Sequence, residues 1–491
     1  MIPRAAPRAA GAPPHLTGNS EMEKPNFYWK SLDWEALTRD YPPPGLYEQT
    51  VGRMSEGEIR ALQNARFLER VAEAWQYPFY RDRWTAAGLE PGDIRGLDDI
   101  EKIPPFTSDD LKEAFVRQPP FGDHQPGSED YLRDAHVRIL TSGGTTGLPR
   151  VTLFDSRALE IQGIQSARGF WAQGLRPSDI IQITYTNSLA NAAWCTLSGA
   201  FHWIGAIPMT TGSGVVTSSE RQLQYAAAWG TTAWFTRAEY LARLTGVARE
   251  TGFDLHSLKT KHIHSHIGPD ADGARRRALE EAWNAPVYDN YGTHEIGAIA
   301  FECREKAGMH ISEDTVYVEI ADIATGRALP HGETGNLIAT SLYRSVPPII
   351  RFNMRDQLAT FPRERCGCGL CTLKLSNFRG RSDEMVKLRG TNVYPLACTE
   401  AIARDPRTNG EFICVVSYEG SGITQRERFV VRIERRDLSV DVDALGADMD
   451  AALHRDLGVR VEIEIADPGT LAEFTGLGLQ NKTRRLLDLR R

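Results

Sequence analysis

Between about residue 157 and residue 300 the chain alternates strand-like runs with amphipathic helical ones, and no other feature limits its fold so tightly. The strand-like runs are "DIIQITY", "GAIPMT", "TAWF", "KHIHSHIG" and "PVYDNYG"; between them stand "ERQLQYAAAW", "AEYLARLTGVARE" and "ARRRALEEAW". Short apolar strands separated by helices predict βαβ units and a parallel sheet. Upstream, residues 25 to 135 read as helices broken by proline, and "EGEIRALQNARFLERVAEAW" carries its apolar residues at helical spacing. After about 315 the pattern changes to strand and turn, as in "TVYVEIADIATGRALPHGETGNLIATSL". From roughly 383 a smaller unit follows, with "EFICVVSYEG" and "RFVVRIERR" as strands and "DALGADMDAALHRDLG" as a helix. The expectation is an α/β protein. A large N-terminal domain over 25–382 holds parallel-containing sheets, helices and a β-rich subdomain, and a small α+β domain follows over 383–491. The Pro/Ala-rich residues 1–24 read as a disordered leader.

A chain of 491 residues with 41% hydrophobic and 25% charged residues has ample material for two cores. Its net charge of -7 argues against a general nucleic-acid surface, so phosphorylated ligands need local basic or backbone sites. No apolar run reaches membrane-span length, and the N-terminus lacks the hydrophobic segment of a signal peptide. Seven cysteines in so long a chain do not make a disulfide framework. These readings together predict a cytoplasmic protein with no nucleic-acid or membrane partner.

Residues 139–151, "ILTSGGTTGLPRV", are the strongest candidate for anion binding. Backbone N–H groups in such a Gly/Thr-rich turn form a nest for phosphate oxygens, although an ordinary turn has the same composition. The Lys of a Walker loop is missing, and no GxGxxG follows a strand. In its order of residues, "SGGTTGLPR" resembles the phosphate signature of the adenylate-forming enzymes, above all its form in phenylacetate-CoA ligases. Ser142, Gly144, Thr145, Thr146 and Gly147 correspond, Gly143 replaces a Ser, and Arg150 stands where many relatives carry Lys.

Further matches come in family order. "YDNYGTHE" (288–295) resembles the Tyr-Gly-x-Thr/Ser-Glu segment, which implies Asp289, Asn290, Tyr291, Gly292 and Thr293 around the nucleotide and Glu295 at Mg²⁺. His294 stands at the usual hydroxyl position. In "HIGPD" Gly268 matches the loop bordering adenine and the acyl pocket, with His266 beside it. "RFNMRD" implies Asp356 as acceptor of the ribose hydroxyls. "GRSDEMVKLRGTNVYP" implies Arg381 at the nucleotide and Asp383 as hinge of a mobile lid, and "NKTRRLLD" implies Lys482 as catalytic lysine. Tyr185, Trp194, Phe201 and Trp203 fall where relatives build the acyl pocket, although core packing explains each of them equally well.

"CGCGLC" sets Cys366, Cys368 and Cys371 within six residues, and "ECREKAGMH" holds Cys303 and His310. Zinc sites draw ligands from two separated segments; reduced, unrelated thiols are the alternative. A similar pattern in some phenylacetate-CoA ligase-like proteins implies structural Zn²⁺ on Cys303, His310, Cys366 and Cys368, with Cys371 as a spare. Cys195, Cys398 and Cys414 read as core fillers. His262, His264 and His266 alternate and share one strand face, which suits packing more readily than a second metal site.

The resemblance implies a small carboxylic acid, expected to be aromatic, activated by ATP and Mg²⁺ to an acyl-adenylate and passed to coenzyme A. An amine or carrier-protein thiol as acceptor, and a non-catalytic zinc-stabilised relative, are the competing expectations. A homodimer is also within the family's range.

Overall fold

A computed structural model describes residues 27–490 apart from 129–130, 133–134, 143–149, 271–272, 383–385, 389–390, 394, 420–425, 458 and 478–482. The leader therefore lies outside the described residues. A hairpin of β1 (Val137–Ser142) and β2 (Arg150–Asp155) pairs antiparallel, with Ser142 opposite Arg150. Asp155 ends β2 and accepts from the backbone N–H of Ala158 at 2.7 Å, so the side chain that ends the strand caps the helix Ser156–Gln173.

The alternating block folds as its periodicity predicts. Strands β3 (Ile180–Ile183), β4 (Ile207–Thr210), β5 (Ala233–Arg237) and β6 (His262–His266) are parallel. The helices Asn191–Ser198, Ser219–Trp229 and Ala238–Thr251 occur in the crossovers between them. Gly230 and Gly252 end the latter two helices at φ +74° and +68°, the left-handed conformation that suits glycine at a C-cap. A further helix, Ala274–Trp283, leads to β7 (Val287–Thr293), which runs parallel to β6.

There the direction reverses. β7 turns back into β8 (Gly297–Glu302), and β9 (Met309–Ile311) pairs antiparallel with β8. Strands β10 (Val316–Ala321), β11 (Gly335–Ser341) and β12 (Phe352–Leu358) form a separate antiparallel sheet. β13 (Thr360–Phe361) and β14 (Lys374–Leu375) then return to the large sheet, whose nine strands run β13-β14-β9-β8-β7-β6-β5-β3-β4. The fold is α/β, with a β-rich part as expected.

The helix Ser156–Gln173 is the central post, buried along most of its length despite its glutamines, serine and arginine. Close packing explains its glycines. A Cβ on Gly163 would stand 2.4 Å from Ser198 Oγ, and one on Gly169 would stand 2.9 Å from Phe301 Cβ. Arg168 makes a bidentate pair with Asp314 at 2.8 and 2.9 Å, and both side chains are fully buried.

The C-terminal part has its own core. β15 (Val386–Leu388) and β16 (Thr391–Val393) form a hairpin. β17 (Thr408–Glu419), β18 (Arg426–Arg435), β19 (Glu462–Ala466) and β20 (Leu486–Asp488) form a mixed sheet ordered β19-β18-β17-β20. Phe412, Val416, Val431 and Ile433 of this sheet pack with Ile402, Leu445, Met449 and Leu453 of the helices Cys398–Arg404 and Val442–Leu457. Among the described residues, no helix is long and apolar enough to cross a membrane.

Candidate active site

Strands β5, β6 and β7 contribute Phe235, His266 and Asn290–Thr293 to the wall of a cavity of about 250 Å³. Ligand sites of open α/β sheets gather at strand C-termini, where the turns into the helices leave room. The helix Ser156–Gln173 and the start of Asn191–Ser198 line it as well, and Ser142, the last residue of β1, also borders it. Gly144, Thr145, Thr146 and Gly147 lie outside the described residues. The flanking residues Ser142 and Arg150 are paired in the β1–β2 register, and Ser142 borders the cavity. The buried Ser142 hydroxyl has no hydrogen-bond partner.

The other flank is held electrostatically. Arg150 Nη2 lies 3.1 Å from Glu295 Oε1, with side-chain exposures of only 17% and 8%. Arg344, fully buried, donates to the backbone carbonyls of Glu295 and of Leu153, the latter at 2.8 Å. The loop root is thereby tied to the β7–β8 hairpin. Glu295, expected at Mg²⁺, has one oxygen engaged by Arg150, the residue that replaces the usual Lys.

The hairpin tip explains several motif residues. A Cβ on Gly292 would meet the Gly297 carbonyl oxygen at 2.5 Å, so the turn closes only with glycine there. Asp289 faces inward instead of into the cavity. Its Oδ1 accepts from the backbone N–H groups of Ile267 and Asn290 at 2.9 and 3.0 Å, which holds the loop around Gly268. Burial and the nearby Glu302 carboxylate push the Asp289 carboxyl up to about 7. Asn290 donates to Ser265 O at 3.2 Å and accepts from Gln173 at 2.9 Å. The Tyr291 hydroxyl donates to Asp356 Oδ2 at 2.7 Å, and Arg381 Nη1 donates to Asp356 Oδ1 at 2.8 Å. A carboxylate, a phenol and a guanidinium from three distant segments thus meet. Asp383 and Lys482 lie outside the described residues.

His266 borders the cavity with Nδ1 2.6 Å from the Tyr185 hydroxyl. Burial and the Arg237 charge lower its pKa to about 4, so the ring is neutral near pH 7. Tyr185 is in the layer behind His266, packed on Phe235 with ring centroids 4.8 Å apart. Trp194 lines a neighbouring cavity, its ring covered by the Arg138 guanidinium at 4.5 Å, and Trp203 donates to Glu160 at 3.0 Å. Phe201 is exposed. His264 and His262 are buried, their rings 4.9 Å apart, so that face of β6 is packed. His294 also borders the cavity, edge-on to Phe154, and burial lowers its pKa to about 4.

Gln165, Ser166, Asn191, Cys195 and Thr196 line the cavity without having carried any motif. Cys195 is thus a wall residue, not a core filler. One signal could have found the helix: Gln162, Ser166, Gly169 and Gln173 recur at helical spacing, giving an uncharged polar stripe where a solvent face would carry charge.

Away from the cavity, Cys303, His310, Cys366 and Cys368 converge, their ligand atoms all within 4.8 Å of one another. Cys303 follows β8, His310 lies on β9, and the two later cysteines stand in the turn between β13 and β14. Pairing of His310 with Lys374 brings these segments together. Cys303 and Cys366 sulfurs are 3.7 Å apart, and Cys368 Sγ is 3.4 Å from His310 Nε2. Two sulfurs at ~2.3 Å from one tetrahedral ion stand ~3.8 Å apart, and a sulfur–nitrogen pair stands ~3.5 Å apart. His310 Nδ1 lies 2.8 Å from Thr372 Oγ1, a partner that orients the ring with Nε2 toward the sulfurs. Cys371 is outside the cluster.

Residues 390–490 match the C-terminal domain of AMP-binding enzymes. Phenylacetate-coenzyme A ligases align along nearly the whole chain. That of Thermus thermophilus is 27% identical over 463 residues, spanning 91% of this chain and 100% of its own length. That of Pseudomonas putida is 28% identical over 445 residues, spanning 88% and 96%. The chain is thus similar to phenylacetate-CoA ligases over most of its length, and its C-terminal part to that of AMP-binding enzymes. A similar fold is seen in 2-hydroxyisobutyryl-CoA ligase. Its complex with the acyl-adenylate and CoA in the thioesterification state aligns with TM-score 0.66 at 25% identity, covering 92% of this chain and 94% of that one. Its postadenylation state aligns with TM-score 0.77 at 24% identity, covering 89% and 91%.

Proposed function

We propose that the protein is an AMP-forming acid–CoA ligase acting on a small, aromatic carboxylic acid. One observation carries the reading. In a chain that aligns over 91% of its length with a phenylacetate-CoA ligase, the root of the loop, the β7–β8 tip and His266 all meet at one cavity. The acid's carboxylate oxygen attacks the α-phosphorus of ATP; the bond to the bridging oxygen breaks and pyrophosphate leaves. A thiolate of coenzyme A then attacks the acyl carbon and AMP leaves. Such transfers need positioning and charge neutralisation more than a protein nucleophile.

In this reading the loop N–H groups and hydroxyls cradle the β- and γ-phosphates, and Asn290 and Tyr291 border the adenine. Asp356, held by Tyr291 and Arg381, accepts from the ribose hydroxyls. Glu295, now paired with Arg150, would hold Mg²⁺, which would neutralise phosphate charge. Lys482 bridges the acid and the nucleotide. The small domain turns about Asp383 to withdraw Lys482 and admit the thiol. Cys303, His310, Cys366 and Cys368 hold a structural Zn²⁺, since four protein ligands leave no open position.

Acid-dependent exchange of pyrophosphate into ATP across a panel of aryl acids tests the first half, and thioester formation with CoA, read by mass, tests the second. Lys482→Ala suppresses exchange while sparing thioester formation from a supplied acyl-adenylate. No exchange with any acid refutes adenylation. Exchange without thioester reassigns the acceptor to an amine or a carrier thiol.

A further inference from the structure

His266 ends strand β6 at the cavity and keeps accessible surface there. Its two ring nitrogens have different surroundings. Nδ1 lies 2.6 Å from the Tyr185 hydroxyl. Nε2 bonds no described residue, yet it is not one of the side-chain atoms buried without a partner. It is therefore open, and the cavity is the space it opens on. His264, two residues earlier on the same strand, differs: its Nε2 is both buried and unpartnered.

Which nitrogen carries the proton follows from Tyr185. Burial pushes that phenol well above its ordinary range, so it keeps its proton at neutral pH. Among the described residues the hydroxyl meets one acceptor, His266 Nδ1. A proton on Nδ1 would leave the phenol proton with no acceptor. With Nδ1 bare the phenol donates to it, and only hydroxyl lone pairs go unmet, which costs less. Burial and the Arg237 charge keep the ring neutral near pH 7, so its single proton then sits on Nε2. The Tyr185–His266 pair thus presents an N–H donor to the cavity, oriented by a hydrogen bond on the far side of the ring.

The wall around this donor includes Phe170, Phe235 and Phe301, which suits a flat ring, and about 250 Å³ admits only a small acid. Among the described residues no Asp, Glu, Lys or Arg lines it, so a second charge on the acid would find no counter-charge. Resting on the acid-activating role above, we propose that His266 Nε2–H is a specificity-determining donor and that the acid carries an uncharged hydrogen-bond acceptor on its ring. A ring nitrogen, an ether or hydroxyl oxygen, or a carbonyl meets that description. A plain hydrocarbon ring is then a poorer substrate, because it covers the N–H without replacing its bond to water.

The test runs ATP–pyrophosphate exchange on the wild-type protein with size-matched pairs of aryl acids: methoxy against ethyl, hydroxy against methyl, and ring nitrogen against ring CH, at each ring position. At least one acceptor-bearing acid is expected to exceed its hydrocarbon match in kcat/KM by about tenfold or more. No such preference in any pair overturns the inference and leaves adenylation standing, whereas exchange with no acid overturns both. His266→Phe keeps a flat ring and removes the donor, so the preference should disappear. An unchanged preference, or an equal loss for every acid, overturns the assignment to Nε2. Tyr185→Phe removes the bond that fixes the proton. It should weaken the preference for the methoxy acid, which can only accept, more than for the hydroxy acid, which can also donate; equal weakening overturns the orienting role of Tyr185. The wild-type comparison needs no variant to fold.

Discussion

Replacing Cys303 by Ser removes a ligand from a cluster that ties three otherwise separate pieces of the large sheet's edge. The cluster joins the end of β8, strand β9 and the β13–β14 turn. In the Zn²⁺ reading, ion binding is linked to folding. At free zinc a thousandfold above its dissociation constant, the bound ion stabilises the native state by about 4 kcal/mol. Unfolding entropy of ~2.1 cal/mol/K per residue, summed over 491 residues, is ~1 kcal/mol/K. If the chain melts as one unit, loss of the ion lowers Tm by about 4 °C, and by more if a smaller unit melts alone. The assay is paired: zinc content by elemental analysis, and thermal melting with and without a strong chelator. The wild type is expected to hold one zinc per chain and to lose those degrees on chelation. Cys303→Ser should hold none and be insensitive to chelator. Cys371→Ser is the control, because Cys371 is outside the cluster and its backbone N–H is what bonds Gly52 O, at 2.7 Å. A native protein without metal, or a Cys371→Ser variant that loses it, refutes the four-ligand assignment.

Asp314→Ala leaves Arg168 charged and buried with its bidentate partner gone, and should cost about 3–5 kcal/mol in urea unfolding. The double variant Arg168→Met, Asp314→Leu should recover much of that loss, and no recovery would contradict the cause. Asp356→Ala removes the acceptor that Tyr291 and Arg381 hold, and should raise KM for ATP at least tenfold with little change in KM for the acid; the reverse pattern would move Asp356 out of the nucleotide site. Burial lowers His262, His266 and His294 to about 4 and His124 to about 3, while the unfolded chain takes up a proton near 6.5. Their contribution is full above about 6.5 and falls as pH drops toward 4, by ~1.4 kcal/mol per pH unit for each net proton bound on unfolding. Asp289 and Glu313, pushed up to about 7 by burial, work the other way, since they keep their protons in the fold and release them on unfolding above about 4. Glu73, Glu302 and Glu319, raised by burial, and His202, raised by its hydrogen bond to Glu160, act with them, so the clean test is a single imidazole: His294→Gln should lower the slope of denaturation midpoint against pH between 5 and 6.5, and an unchanged slope contradicts this.

The parallel half of the large sheet was legible because burial on both faces demands continuous apolar strands and each crossover demands a helix. What no local pattern announces is the order of the sheet beyond β7. Strands β13 and β14 are two residues long and reach the edge only by pairing with β9, which lies some sixty residues earlier. That same pairing brings the Cys/His cluster together, so the spacing alone read as two local halves and only the family resemblance named all four residues as one set. The acyl-side wall shows the opposite failure. Trp194 reads as a pocket aromatic, yet Arg138 covers its face, and Asp289 reads as a ligand, yet it clamps the loop that carries Gly268.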